Sequence, residues 1–267
     1  MHEIDEFTNR FGGIQRLVGF KEAEVLRNSH VCVIGIGGVG SWVVEALART
    51  GVGEITRIDL DEVCINNTNR QLHAMDGEVG KMKVDAMADR VRRINPECKI
   101  NAVQNFFTER NAEELLDNNF DYVFDAIDSL RQKCILLTMC REKGIPIVTT
   151  GGAGGRFDPT QIQVADLART KDDPLLTKTR KRLRQKHNFP SSKKRKFNIP
   201  CVFSTEEMIY PQSDGTVCAT REESDEENLR LDCQSGYGTV SFVTGTFAFF
   251  GASVIIRDLC KKAKEQE

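Results

Sequence analysis

Apolar and polar residues alternate with two different periods along the first half of the chain. Short runs rich in β-branched residues are typical of strands that a parallel sheet buries on both faces. Stretches with apolar residues three or four positions apart lie between these runs and predict helices. After a helical lead-in at residues 1–29, the predicted strands are 30–34, 54–59, 100–103, 122–126 and 145–149, with helices at 41–49, 81–94, 112–116 and 130–143. This order predicts an α/β fold with a doubly wound, mostly parallel sheet.

The second half follows a different pattern. Residues 151–155 are four glycines and one alanine, and they predict a flexible junction. Residues 161–166 alternate as a half-buried strand does. Residues 178–196 contain ten lysines and arginines, and residues 240–256 are apolar with interleaved Ser, Thr and Gly. We therefore expect a smaller, mixed C-terminal part with a basic insertion and an apolar segment.

Composition narrows the class of protein. The 267 residues carry a formal net charge of -2, which gives no global attraction to nucleic acid. The nine cysteines include no CxxC pair, and this argues against a structural zinc site. The N-terminus lacks the apolar run of a signal peptide, so we expect a cytoplasmic protein with reduced thiols. Residues 240–256 approach the length of a membrane span, but their threonines and glycines favour a buried helix or a dimer face, with membrane contact at most peripheral.

A glycine-rich turn with the sequence GIGGVGS lies between the first predicted strand and its helix. Such a turn lets the backbone approach a phosphate, and the helix N-terminus offers free N–H groups. Asp59 ends the next strand, where a carboxylate can bind ribose hydroxyls. A tight turn without a ligand is the alternative, and the strand–turn–helix context favours nucleotide binding. The glycines concerned are Gly35, Gly37, Gly38 and Gly40.

Charged and polar residues that follow the glycine turn indicate which class of nucleotide binds there. Arg70 and Lys83 follow the second strand, together with Asp61 and Asn67. A dinucleotide does not need these two cations, whereas a nucleoside triphosphate brings several negative charges that do. Asp128 lies near the end of a later strand, where a carboxylate can hold Mg²⁺ over the phosphates. The pattern therefore predicts a nucleoside triphosphate and Mg²⁺ as ligands.

These residues resemble a known superfamily, the ubiquitin-activating-enzyme-like ATP-dependent adenylyltransferases, which includes the activators of the molybdopterin-synthase and thiamine sulfur carriers. On this resemblance we place a Rossmann-like ATP-binding part in residues 1–150, and the C-terminal part of the same domain in residues 151–267. The matching segments are Arg10-Phe11-Gly12-Gly13, the glycine turn at 35–41, Asp59-Leu60-Asp61, Asn67 with Arg70-Gln71, Gly80-Lys81-Met82-Lys83 and Asp125-Ala126-Ile127-Asp128.

The resemblance also implies roles for single residues. Gly38 lines the nucleotide, Asp59 binds the ribose, and Asp128 supports Mg²⁺. Sulfur-carrier activators bear two CxxC zinc pairs and an extra arginine at the position of Gly13, and both are missing here. Arg16 lies nearby and is expected to reach in from the second subunit of a homodimer. The implied catalytic residues are Arg70, Lys83 and Asp128, and the implied ATP-binding residues are Gly35, Gly37, Gly38, Gly40, Asp59, Asp61, Asn67, Arg70 and Lys83.

The second half indicates one branch of the superfamily. The basic insertion and the segments GTVCA at 215–219 and CQSGYG at 233–238 resemble the tRNA threonylcarbamoyladenosine dehydratases. That family cyclises the threonylcarbamoyl group on the adenosine beside the anticodon, with net loss of water. The resemblance implies that ATP activates the threonyl carboxylate. An acyl-adenylate is the expected intermediate, and an acyl phosphate is the variant that the residues leave open.

The basic insertion is the predicted contact with tRNA. Clustered cations bind phosphates by releasing counterions, and aromatic rings stack on unpaired bases. Phe189 and Phe197 lie among or beside the cations and are candidates for stacking. A solvated charge run is the alternative interpretation. The predicted RNA-binding residues are Arg180, Arg182, Lys193, Lys194, Arg195 and Lys196.

Cys233 precedes a glycine-containing loop, and related adenylate-forming enzymes use a loop cysteine to form a thioester. A carboxylate that cyclises internally needs no enzyme thiol, so Cys233 is at most an auxiliary catalytic residue. Two other functions stay open on the sequence. One is an adenylyltransferase for a ubiquitin-like sulfur carrier, with a cysteine desulfurase as partner. The other is a nucleotide-sensing adaptor that binds RNA without turnover.

Overall fold

A seven-stranded sheet organises the protein, as seen in a computed structural model that describes residues 5–117, 119–192, 194–220 and 237–265. Its strand order is β3-β2-β1-β4-β5-β7-β6, and every neighbouring pair is parallel except β6 with β7. The strands are β1 His30–Ile34, β2 Glu54–Ile58, β3 Lys99–Val103, β4 Tyr122–Asp125, β5 Ile147–Thr150, β6 Ile162–Asp166 and β7 Pro200–Ser204; β8 Tyr210–Pro211 and β9 Val217–Cys218 pair separately. The predicted fold class is confirmed.

Helices cover both faces of this sheet. Their bounds are α1 Glu6–Val18, α2 Phe20–Asn28, α3 Gly40–Arg49, α4 Lys83–Ile94, α5 Ala112–Leu115, α6 Leu130–Lys143, α7 Pro174–Lys186 and α8 Ser241–Glu265. The strands and helices predicted between residues 30 and 150 are present, with ends that differ by one or two residues. Strands β6 and β7 extend the sheet through the pairing of β5 with β7. Residues from both predicted parts therefore build one sheet, and the division at residue 150 stays a prediction.

Side chains alternate between two hydrophobic cores on the faces of the sheet. In β1, Val31 and Val33 enter the core formed with α3, α4 and α8, whereas Cys32 and Ile34 enter the core formed with α5, α6 and α7. Each of these four side chains is buried, as expected for a central strand of a doubly wound sheet. The sheet is thus fixed from both sides, which makes it a rigid support for loops at its edge.

The predicted apolar segment forms most of α8. This helix is long and apolar enough to cross a membrane by length and composition alone. However, it packs against α2, α3 and the strands β5 to β7, and Phe247 and Ile255 lie fully inside the core. Its packing agrees with the interpretation as a core helix. Phe242, Phe249 and Phe250 lie on its exposed side.

Candidate active site

A cleft of about 680 Å³ opens at the carboxyl edge of the sheet, where the strand order reverses between β1 and β4. This is the position at which open α/β sheets bind ligands, because the loops that follow neighbouring strands diverge there. The cleft gathers most of the residues that the sequence predicted for ATP: Gly35, Gly37, Gly38, Asp59, Asp61, Asn67, Arg70, Lys83 and Asp128. Residues distant in sequence therefore line one cavity.

The turn after β1 requires glycine because two of its backbone segments lie too close together for a side chain. Gly35 has a φ of 90°, which glycine adopts without steric cost. A Cβ atom on Gly40 would lie 1.8 Å from the carbonyl oxygen of Gly35, so no other residue fits there. Gly40 does not line the cleft and starts α3 instead. Its contribution to the site is the shape of the turn.

Asp59 is fixed under this turn by the backbone. Its Oδ2 atom accepts a hydrogen bond of 2.5 Å from the Ile36 N–H, and its Oδ1 atom accepts one of 2.8 Å from the Asp61 N–H. Burial raises the pKa of Asp59, while these hydrogen bonds and the charge of Lys83 oppose that rise. Each carboxylate oxygen has lone pairs left for a second donor. Asp59 is thus oriented toward a ligand that offers hydroxyl groups.

Lys83 is the buried cation of the cleft. Its side chain is 7% exposed, and its Nζ atom lies 2.8 Å from Oδ2 of the half-exposed Asp61. The imidazole of His73 is 1% exposed, and neither ring nitrogen has a hydrogen-bond partner among the described residues. Burial, and then the charge of Lys83, lower the pKa of His73 to about 4. His73 is therefore neutral near pH 7 and adds no positive charge beside Lys83.

Arg70 covers the glycine turn with the stem of its side chain, which lies close to Gly38. Its Nη1 atom donates to the Asn66 carbonyl at 2.8 Å and to Oδ1 of Asn69 at 3.0 Å. The backbone carbonyl of Arg70 accepts a hydrogen bond of 3.1 Å from Trp42 Nε1. Held in this way, the guanidinium keeps further N–H donors available to the cleft.

Two amide side chains complete this part of the wall. Asn67 is buried and accepts from the Cys64 N–H at 3.2 Å, which stabilises the turn that precedes Arg70. Gln71 lines the cleft and is 7% exposed, and its Oε1 atom has no partner in the parts of the chain that the structure describes. Sequence reasoning quoted Gln71 only as part of a matching segment, and it gave no role to Gln71 or to His73. The position of Gln71 directly after Arg70 was the available signal, whereas nothing local points to His73.

Asp128 projects from the loop after β4. Its side chain is exposed at the cleft and makes no hydrogen bond or ion pair to any described residue. The loop is held from below by Asp125, which accepts from the Ile127 N–H at 3.0 Å and pairs with the fully buried Lys133 at 2.7 Å. Mg²⁺ in nucleotide enzymes takes one or two carboxylates plus phosphate oxygens, and an exposed, unpaired carboxylate fits that role. Within the described residues, no group of three His, Cys, Asp or Glu side chains forms a metal site made of protein ligands alone.

The glycine segment at 151–155 corrects one expectation. It was predicted to be a flexible junction, yet it is an ordered wall of the same cleft. Gly151 N–H donates to the Val202 carbonyl at 2.8 Å, and Gly155 N–H donates to the Gly238 carbonyl at 2.8 Å. A Cβ atom on Gly151 would lie 2.3 Å from Oδ2 of Asp173. Close packing against Asp173 therefore requires glycine at position 151.

Three other predicted site residues lie outside the cleft or outside the residues that the structure describes. Arg16 is exposed on α1 and does not line the cleft of its own chain, so its contribution from a second subunit stays a prediction. Cys233 lies outside the described residues, as does Lys193.

The basic insertion divides into a helix and a loop. Lys194, Arg195 and Lys196 are exposed, in the loop that precedes β7. Arg180 and Arg182 are half-buried on α7. The guanidinium of Arg180 donates to the hydroxyls of Thr170 and Thr177. Their role in RNA binding stays a prediction, and the exposed loop cations are the more accessible group.

The two phenylalanines of the insertion are a second correction. Phe189 and Phe197 were candidates for stacking on an RNA base, but they are 3% and 5% exposed. Their rings pack edge to face at a centroid distance of 4.9 Å inside the second core. The guanidinium of Arg141 covers the ring of Phe189 at 3.9 Å. An apolar core in this position anchors the basic loop and leaves no aromatic face for a base.

Comparison with known proteins assigns the chain to a family. The model of the family described as "ThiF family" matches residues 13–267. This chain belongs to the ThiF family. Within that family it is 50% identical over 262 residues to the tRNA threonylcarbamoyladenosine dehydratase of Escherichia coli K12, covering 98% of this chain and 97% of that protein. It is 48% identical to the protein of the same name from Haemophilus influenzae, with 98% and 97% covered.

A solved structure supports the same grouping within the ThiF family. The crystal structure of the Escherichia coli tRNA N6-threonylcarbamoyladenosine dehydratase TcdA in complex with ATP has a TM-score of 0.88 and 45% sequence identity, covering 99% of both chains. The chain thus belongs to the tRNA threonylcarbamoyladenosine dehydratase group, as the resemblance had indicated.

Proposed function

We propose that this protein is an ATP-dependent, tRNA-modifying enzyme that dehydrates N6-threonylcarbamoyladenosine next to the anticodon. The observation that carries this proposal is the cleft, which joins a glycine turn to Asp59, Arg70, Lys83 and Asp128. It is supported by near full-length identity to proteins named as such dehydratases and by likeness to a structure that contains ATP.

The residues of the cleft suggest one orientation for ATP, which we adopt in this proposal. The phosphates approach the turn between Gly35 and Gly40, where glycines allow close contact with the backbone. The ribose hydroxyls reach Asp59, whose carboxylate is already oriented by two backbone N–H groups. The triphosphate then extends toward Arg70 and Lys83, whose positive charges offset its negative charge.

The reaction is proposed to begin with activation of the threonyl carboxylate. One carboxylate oxygen attacks the α-phosphorus of ATP, the bond from that phosphorus to the bridging oxygen breaks, and pyrophosphate leaves with the electron pair. A nucleophile of the same modification then attacks the acyl carbon and loses its proton, the ring closes, and AMP leaves with the former carboxylate oxygen. The net change in the nucleoside is the loss of one water, and no enzyme thiol takes part.

Lys83 and Arg70 are the residues that would stabilise the negative charge that develops as pyrophosphate leaves. Both cations are held before the substrate arrives, Lys83 by Asp61 at 2.8 Å and Arg70 by Asn66 at 2.8 Å. Fixed charges that face the developing negative charge lower the barrier without reorganising during the reaction. Asp128 would hold Mg²⁺, which would neutralise charge on the departing pyrophosphate.

We also propose that the enzyme is a homodimer in which Arg16 reaches the cleft of the second copy. Leu17 and Phe20, next to Arg16, are 80% and 76% exposed, and a second copy would cover them. Mixing an Arg16→Ala protein with a Lys83→Ala protein tests this. Because a mixed dimer carries one intact site, we expect activity to return on mixing two inactive proteins. Absence of recovery in proven mixed dimers would contradict a contribution in trans.

The function itself is tested with ATP, Mg²⁺ and tRNA that carries the modification. We expect nucleosides from the treated tRNA to lose the mass of one water, and we expect AMP to form. Labelling the threonyl carboxylate with ¹⁸O separates the intermediates: an acyl-adenylate transfers the label to AMP, whereas an acyl phosphate transfers it to inorganic phosphate with ADP as coproduct. Bound tRNA and ATP without any mass change would instead support the non-catalytic adaptor.

A further inference from the structure

Asp173 lies at a junction between the cleft and the basic helix. It is 2% exposed and caps the N-terminus of α7. Its Oδ1 atom accepts a hydrogen bond of 2.8 Å from the Leu176 N–H of that helix. Its Oδ2 atom accepts one of 2.9 Å from the Gly152 N–H of the cleft wall. One carboxylate therefore holds two separate segments at once.

Arg156 fixes this carboxylate from the other side. Its Nη2 atom lies 3.4 Å from Oδ2 of Asp173, and neither side chain is exposed beyond 1%. The same guanidinium donates to the carbonyl of Ser204 at 2.5 Å and to that of Asp172 at 3.1 Å. The end of β7, the start of α7 and the glycine wall thus converge on one buried ion pair. Buried pairs with several hydrogen bonds hold their surroundings in a single arrangement.

The helix that Asp173 caps links the cleft to the exposed cations. Leu175, in the first turn of α7, lines the cleft. Farther along, Lys178, Lys181 and Lys186 are exposed to solvent. The 13 residues of α7 extend about 20 Å at a rise of 1.5 Å per residue. A phosphate backbone bound along this helix would therefore have a fixed distance to the wall at Gly152.

We propose that Asp173 is a positioning residue, which holds the start of α7 and the wall at Gly151 and Gly152 as one unit. Through it, an RNA bound on the basic face presents its modified base to the nucleotide cleft in a single register. This inference rests on the proposed function, because it needs the RNA substrate. It adds a residue that touches neither ATP nor the reacting atoms and still governs turnover.

The test compares three variants in the full-length protein. Asp173→Asn removes the charge and one acceptor, and we expect kcat with modified tRNA to fall about 10- to 100-fold, as a misplacement of about 1 Å does. The dissociation constant for ATP should stay unchanged. Arg156→Lys loses the hydrogen bonds to Ser204 and Asp172 but leaves Asp173 bound to Gly152 and Leu176, so it should lower Tm and keep kcat.

Asp166→Asn is the matched control. Asp166 also caps a short helix and accepts hydrogen bonds from the N–H groups of Ala168, Phe197 and Asn198, but none of these three partners belongs to the cleft wall. If loss of kcat follows loss of Tm across all three variants, Asp173 is only structural and the proposal is overturned.

A second measurement does not depend on activity. Amide hydrogen exchange of the free protein should accelerate together at residues 151–155 and in the first turn of α7 in Asp173→Asn. Unchanged exchange at either segment would also overturn the proposal. Since wild-type turnover reports on the proposed function and exchange reports on Asp173, the two failures are distinguishable.

Discussion

Two glycine-rich segments line the same cleft, and they need glycine for different reasons. The first, residues 35–40, turns sharply between β1 and α3, and a Cβ atom on Gly40 would strike the carbonyl of Gly35. The second, residues 151–155, follows β5, and a Cβ atom on Gly151 would strike the Asp173 side chain. At Gly40 the obstacle is the backbone five residues away. At Gly151 it is a side chain more than twenty residues away.

This difference explains why the sequence predicted the conformation of the first segment but not that of the second. A glycine turn between a strand and a helix has a local cause, so its role follows from neighbouring residues. The order of the segment at 151–155 depends on Asp173, Val202 and Gly238, which the fold brings together from distant positions. Without those partners, four glycines in five residues indicate flexibility.

The largest expected effect concerns the charge beside the first segment. Lys83→Ala removes the buried cation, and we expect turnover to fall about 100- to 1,000-fold, because a preorganised charge that stabilises the transition state typically supplies about 2.7–4 kcal/mol. The matched control is Lys81→Ala, since Lys81 is exposed in the same segment and pairs only with Glu78 at 3.0 Å. Steady-state kinetics on both folded proteins measure the effect. Equal rates for the two variants would remove Lys83 from the mechanism.

Alanine substitutions test directly whether the two glycine segments differ in this way. Gly40→Ala forces two backbone segments apart, and we expect a loss of about 3 kcal/mol in the free energy of unfolding, together with loss of ATP binding. Gly151→Ala displaces the buried side chains of Asp173 and Leu176 but no backbone, so we expect a smaller loss of about 1–2 kcal/mol and retained ATP binding, with turnover reduced. Gly13→Ala in α1, where the new Cβ meets only an ordinary contact, is the control for stability. Denaturant unfolding and ATP calorimetry give both quantities. Equal costs at Gly40 and Gly151 would contradict the distinction.

The sequence predicted most of the fold and the candidate site where one local pattern determines both structure and chemistry. The strands of the first half were predicted from their apolar runs. The glycine turn, Asp59 and Asp128 were selected because they follow strand ends, and Arg70 and Lys83, farther along the chain after β2, were selected for their charge. Gln71 and His73 were given no role because their burial results from the loop between β2 and α4, whose path has no period. Phe189 and Phe197 were predicted to be accessible because their neighbours in sequence are cations, but both rings pack into the second core.

The neutral His73 beside Lys83 predicts a pH dependence. The pKa of His73 is about 4 in the folded protein, below its ordinary value of 6.5, so the unfolded chain binds the proton more tightly. Its contribution to stability is therefore complete above pH 6.5 and is lost as the pH falls toward 4, by roughly 3 kcal/mol in total. His73→Phe should flatten the free energy of unfolding over this range. His187→Gln, at a half-buried ring, should change it less, and identical profiles for wild type and His73→Phe would contradict the assignment.

The smallest expected effect concerns the exposed basic loop that precedes β7. Lys194, Arg195 and Lys196 are exposed, whereas the described nucleotide-site residues lie at the carboxyl edge of the sheet. Replacing all three with alanine should weaken tRNA binding most at low salt. Each lost phosphate contact should make the slope of log K against log salt shallower by about 0.9 for a duplex and about 0.7 for a single strand.

Two controls distinguish a specific contact of this loop with tRNA from a general effect of removing positive charge. Arg92→Ala with Arg93→Ala removes two exposed cations at the end of α4, and it should leave the salt slope unchanged if binding is confined to the basic insertion. ATP calorimetry on the loop variant should match wild type, because none of its three side chains lines the cleft. A salt titration of tRNA binding decides the matter. An unchanged slope in the loop variant would mean that these cations are a solvated surface, and the face of α7 would then be the place to look for the RNA contact.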